Sequence, residues 1–150
     1  MTVYIPFLMR LFYLSVLLAV SYVDLRERRI PNRIVVPAIL VAVADALWRA
    51  DVLSSLVGGF SVVAFFAIPA FLGLPGIGIG DLKLAFCIGL ILGWPNVTSA
   101  IMVATLSGAV VTILGSVLCH WDRHTAIPYG PFLALGALWV LASNLIPIFQ

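Results

Sequence analysis

Apolar runs of membrane-crossing length alternate along this chain with short polar breaks. The hydrocarbon core is crossed by helices of roughly 17–25 residues, and marking such runs predicts six spans, at about 4–23, 34–48, 52–74, 82–95, 97–119 and 132–149. The second and fourth are short for a full crossing. The fourth also opens beside the glycine-rich stretch Gly76-Ile-Gly-Ile-Gly-Asp81, so a broken or partly re-entrant helix is expected there. No repeat, linker or low-complexity segment divides the chain, and residues 1–150 read as one polytopic all-α bundle of about six transmembrane helices.

Composition agrees with that pattern. Hydrophobic residues make up 63% of the 150 and charged ones 9%, with a mean hydropathy of +1.21; a soluble domain this small would leave most of those apolar side chains in water. The expected environment is therefore membrane lipid. Eight Lys/Arg against six Asp/Glu are too few and too dispersed to bind nucleic acid. Their placement is more informative than their sum. Arg26, Arg28, Arg29 and Arg33 fall in the first break, Lys83 in the third and Arg123 in the fifth, while the even-numbered breaks hold Arg49 alone. Arg10 lies within the first span and can snorkel outward. The positive-inside rule then puts the first, third and fifth loops in the cytoplasm and both termini outside. The start, MTVYIPFLMR, has no basic region ahead of its apolar stretch and does not read as a cleaved signal peptide.

Two aspartates stand out on this topology. Asp24 follows the first apolar run and opens Asp-Leu-Arg-Glu-Arg-Arg-Ile-Pro-Asn, and Asp81 closes the glycine-rich stretch. A carboxylate at the end of a membrane helix is costly unless paired, hydrated or used. Each alone has an ordinary reading, Asp24 as a water-boundary residue and Asp81 as a helix N-cap. Together they lie at matching depth on the cytoplasmic side, whereas Asp45 falls near the opposite face beside Trp48 and Arg49. Two converging carboxylates cannot both ionise cheaply, so one keeps a proton while the other takes one from water. That is aspartyl-protease chemistry and needs no metal or other cofactor. Gly76, Gly78 and Gly80 suit a tight turn, through φ > 0 or close backbone approach; their spacing does not fit a dinucleotide-binding fingerprint.

These residues match a family. The stretches Val23-Asp-Leu-Arg-Glu-Arg-Arg-Ile-Pro-Asn-Arg-Ile-Val-Val-Pro37, Gly76-Ile-Gly-Ile-Gly-Asp-Leu-Lys-Leu-Ala85 and Ile127-Pro-Tyr-Gly-Pro-Phe-Leu-Ala-Leu-Gly-Ala-Leu138 resemble, in order, three signature regions of bacterial type IV prepilin peptidases, membrane aspartyl proteases of the GxGD type. The resemblance implies that Asp24 and Asp81 are the catalytic pair, that Gly78 and Gly80 shape the turn, with Lys83 following the second aspartate, and that Ile127–Pro131 frames the site. It further implies a prepilin or pseudopilin substrate, cut behind its short basic leader at the cytoplasmic edge of the inner membrane. Larger members carry an N-terminal region with a cysteine tetrad and also methylate the new N-terminus. This chain has only Cys87 and Cys119, which resembles the short, peptidase-only form, and methyl transfer is not expected.

The other polar residues rank lower. Cys87 and Cys119 form no CxxC pair and read as small apolar residues. Cys119, His120 and His124 are conceivable metal ligands without a completing set, so no metal is expected. Gly89/Gly93 and Ala104/Gly108 have the small-residue spacing that lets membrane helices pack closely. Two competing readings are a protease that cuts inside the bilayer and a non-catalytic assembly factor or small transporter subunit. The first places its aspartates deeper than these, and a transporter places carboxylates near the midplane, where none is found.

Overall fold

The computed structural model describes residues 4–71, 78–118 and 129–143, and these form six helices without strands. They are α1 (Tyr4–Glu27), α2 (Asn32–Trp48), α3 (Val52–Phe71), α4 (Ile79–Leu92), α5 (Asn96–Leu118) and α6 (Gly130–Ser143). Each corresponds to one predicted span, and the protein is a helical membrane bundle. α1 and α5 are long and apolar enough to cross a bilayer by themselves, with mean hydropathies of 1.6 and 2.2. Several boundaries moved. α1 runs a polar turn past its apolar stretch, so Asp24 is helical; α2 and α6 begin two residues early, at Asn32 and Gly130; and α4 lies three residues earlier than expected, at Ile79–Leu92, so Asp81 is helical too. The expected break in the fourth span is not found within α4, which is one continuous helix. Its 14 residues cover about 21 Å at 1.5 Å each, short of the roughly 30 Å core.

α4 tolerates that shortness because it sits in the middle of the bundle. Leu84, Ala85 and every residue from Cys87 to Leu92 are buried, with α3, α2 and α6 against it. Cys87 is one of these core residues, as its apolar reading requires. Large side chains on the other helices point outward instead: Trp48, Phe60, Phe71, Trp139 and Leu118 are all more than 60% exposed. Lipid tails are as apolar as leucine, so outward leucines cost nothing in lipid and close packing of small residues holds the helices together. A Cβ on Gly58 of α3 would stand 2.5 Å from the Gly89 carbonyl oxygen of α4, and one on Gly136 of α6 would overlap the Ala100 carbonyl oxygen of α5. Gly108 carries Tyr129 and Phe132 against α5 in the same way. The two small-residue pairs singled out in the sequence thus lie at the α3/α4 and α5/α6 contacts.

The α4–α5 corner is tied to α3 by two hydrogen bonds, Trp94 N–H to the Ser54 carbonyl at 3.0 Å and Ser54 Oγ to the Trp94 carbonyl at 2.9 Å. Gly93 there has φ +67° and ψ 171°, a backbone conformation open essentially to glycine alone. Fixing that corner helps to fix how α4, with Asp81 at its far end, packs against α2 and α6.

Candidate active site

Asp24 and Asp81 come together. They are carried by the last turn of α1 and the first turn of α4, and both line one cavity of about 260 Å³ with Arg28, Arg29, Ile30, Gly78 and Gly80. Asp24 is only 4% exposed. A carboxylate so enclosed needs a donor, and it has one from a third helix: the Gly130 N–H, first in α6, donates to Asp24 Oδ2 at 3.0 Å. That amide is one of the donors a helix N-terminus leaves without an intrahelical partner. A Cβ on Gly130 would lie 2.6 Å from the same oxygen, so only glycine lets α6 approach this closely.

Asp81 is the third residue of α4, after the N-cap Gly78. Its carboxylate reaches back to the Gly78 N–H, the acidic half of a capping box. It is therefore not the N-cap itself. Gly78 and Gly80 do not act through φ > 0 either. Gly78 has φ −61° and ψ 150°, and Gly93 is the only glycine with positive φ among the described residues. Gly80 is there for proximity, since a Cβ on it would meet Ile30 Cβ at 3.1 Å. The chain brings Ile30 back over the cavity by turning sharply after α1: Arg28 has φ +51°, and its N–H closes on the Asp24 carbonyl at 2.8 Å. Lys83 points elsewhere, donating from Nζ to Asn32 Oδ1 at 3.1 Å, which joins α4 to the start of α2 and leaves Lys83 out of the cavity wall. Gly76, Cys119, His120, His124 and Ile127–Pro128 lie outside the described residues, and no group of metal-ligating side chains occurs among the described ones.

Asp81, in the polar first turn of α4, stands one residue ahead of the apolar run that begins at Leu82. Burial pushes its carboxyl up, the Asp24 charge beside it adds to the rise, and the Gly78 amide offsets part; the result is about 6. A proton is thus held on Asp81 at mildly acidic pH, and burial raises the Asp24 carboxyl as well, with the Gly130 hydrogen bond offsetting part of that rise. Tyr129, also ahead of its span, packs its ring against Phe66 of α3 at 5.6 Å and Phe132 of α6 at 6.0 Å. Burial and then the Asp81 charge raise its hydroxyl, which stays protonated. Arg29 pairs with Glu27 at 3.0 Å on an exposed surface, an arrangement worth little by itself.

Asp45 belongs to a different place. It lies thirteen residues beyond Asn32 along α2, about 20 Å of helix. There it takes the Tyr13 hydroxyl at 3.3 Å and Arg49 Nε at 3.2 Å. This opposite-end cavity of about 230 Å³ also has Arg10 in its wall. Reasoning from sequence found both aspartates and the turn but missed Gly130 as the donor and Ile30 as the neighbour that requires Gly80. A Gly-Pro pair opening a helix, as at Gly130-Pro131, was the available signal for the first.

The family model described as the type IV leader peptidase family matches residues 11–113, a stretch that contains both aspartates. The chain belongs to that family. Among curated relatives, the prepilin leader peptidase/N-methyltransferase of Burkholderia pseudomallei (strain 1026b) is 30% identical over 129 residues, which are 81% of this chain and 42% of that one. Those of Xanthomonas campestris pv. campestris and Pectobacterium carotovorum subsp. carotovorum are 31% and 27% identical over 132 and 146 residues, or 83% and 89% of this chain and 46% and 50% of theirs. The chain therefore spans about half the length of these family members. No solved structure matches it.

Proposed function

We propose that this chain is an aspartyl endopeptidase that removes the short basic leader of type IV prepilins or pseudopilins, acting as one peptidase domain in the inner membrane with its site on the cytoplasmic face. The observation that carries the reading is the convergence of Asp24 and Asp81, both within the family-matched region but on different helices, on one cavity at a single end of the bundle. Residues Arg26, Arg28, Arg29, Arg33 and Lys83 cluster in the α1–α2 loop and the adjoining helix turns at that end, which supports its being cytoplasmic.

The chemistry follows from the pair. A water between the carboxylates gives a proton to the ionised one, and its oxygen attacks the scissile carbonyl. The other carboxyl gives its proton to the carbonyl oxygen, forming a gem-diol. On collapse the first carboxyl passes its proton to the departing amine, and the second recovers one from the gem-diol. Both carboxyls end as they began. A site at the membrane edge fits a bond lying between a water-soluble leader and an apolar helix, with that helix remaining in lipid beside the bundle.

Co-expression with a prepilin, followed by intact-mass measurement of the product, tests this. A mass loss equal to the leader is expected with the native chain and none with Asp24→Asn or Asp81→Asn, which keep volume but not the carboxyl. Cleavage by either variant at a near-native rate overturns the two-aspartate mechanism.

A further inference from the structure

The two aspartates are held differently. Asp24 is enclosed, and a well-formed 3.0 Å bond ties it to the first amide of α6, an amide itself buried. Asp81 is half-buried, and its own donor, Gly78, is exposed at the N-cap of α4. A hydrogen bond to an ionised carboxylate is about twice as strong as a neutral one, and it gains most where water cannot compete. Among the described residues, the charged groups facing the pair are few. Arg28 and Arg29 reach the cavity from the loop after α1, Asp81 faces Asp24 from α4, and Tyr129 adjoins Asp81 as a neutral hydroxyl.

Resting on the aspartyl-protease reading, we propose that the Gly130 amide at the start of α6 divides the pair by role, holding Asp24 as the general base and leaving Asp81 to carry the proton that activates the scissile carbonyl. Gly130 is then a positioning residue and Asp24 the catalytic one. The amide aims one oxygen, Oδ2, at α6, which frees Oδ1 to take the proton from water. Burial raises the Asp24 carboxyl, and the Gly130 bond, by favouring the ionised form, offsets part of that rise. Once Asp24 is charged, its field helps keep Asp81 protonated up to about pH 6. The requirement for glycine at 130 has the same origin, because any side chain pushes Oδ2 off the amide.

Infrared titration of the purified full chain in detergent tests the assignment without substrate, by following the carboxylic C=O stretch. The highest-pH carboxyl transition is expected to vanish in Asp81→Asn and to move to lower pH in Asp24→Asn, where the neighbouring charge is gone. Persistence of that transition in Asp81→Asn with loss in Asp24→Asn reverses the roles and overturns the proposal. In Gly130→Ala, the Asp24 transition should rise by about one pH unit, the effect of losing about 1.4 kcal/mol of preference for the charged form. An unmoved Asp24 transition in a folded Gly130→Ala protein overturns the part assigned to the amide. If Gly130→Ala fails to insert, the two isosteric Asn variants still decide the roles. Failure of the protease reading shows separately, as intact prepilin in the presence of the native chain.

Discussion

Replacing Gly80 separates two explanations for a glycine at the turn that precedes Asp81. A Cβ there would lie 3.1 Å from Ile30 Cβ and 3.7 Å from Ile30 N, so alanine asks Ile30 to retreat by only a few tenths of an ångström. Alanine also gains about 0.5–1 kcal/mol over glycine inside a helix, which offsets much of that strain. Valine adds two methyl carbons about 1.5 Å further out, into the side of the loop that lines the cavity. Overpacking of this kind costs about 1–3 kcal/mol, and the loop's escape route is away from Asp81, carrying Arg28 and Arg29 with it. A misplacement near 1 Å at reacting groups is worth about 10²-fold in rate. Gly80→Ala should therefore retain kcat/KM within about 5-fold, given that small strain, whereas Gly80→Val should lose about 10²-fold with its membrane topology intact. The assay is leader removal from a purified prepilin in detergent, followed by intact mass, with thermal unfolding as a control for folding. Ile30→Ala in the valine background should recover part of the loss, a coupling measurable by a double-mutant cycle. Equal inactivation by alanine and valine would refute the reasoning, because it would place the requirement in the backbone of Gly80 and not in Ile30.

The Asp81 carboxyl, raised to about 6, sets a pH limb: the reaction needs one proton on the pair, so kcat/KM should fall as pH rises through about 6, and a flat profile between pH 5 and 8 would exclude that carboxyl as the titrating group. Gly136→Ala puts a methyl onto the Ala100 carbonyl oxygen, and thermal unfolding in detergent should show a loss of about 1–3 kcal/mol or more; an unchanged midpoint would mean that α5 and α6 can part freely. Asp45→Asn should cleave prepilin normally, because its Tyr13 and Arg49 contacts lie about 20 Å of helix from the site, and a large fall in kcat would tie the two ends of the bundle together.

Membership in the helical-membrane class, the six elements and the candidacy of both aspartates were legible in the residue order, because each depends on local composition. An apolar run is long enough to cross lipid or it is not, and a carboxylate at its edge is conspicuous wherever the rest of the chain goes. Element ends were less legible: the polar last turn of α1 still satisfies its backbone by helical hydrogen bonds, so Asp24 is helical although hydropathy stops at Val23. Sequence left two reasons open for Gly80, φ > 0 or close approach, since a glycine that admits Ile30 and a glycine that adopts φ > 0 look alike in one dimension. Only the tertiary structure brought Gly130 to Asp24 across 106 residues. That contact depends on α6 packing against α5 through Gly136 and Gly108 and against α1 at its start, and no local pattern encodes which buried oxygen a distant helix terminus will reach. Residue order determined which groups are able to do chemistry, and packing decided which of them share a cavity and which amide each carboxylate meets.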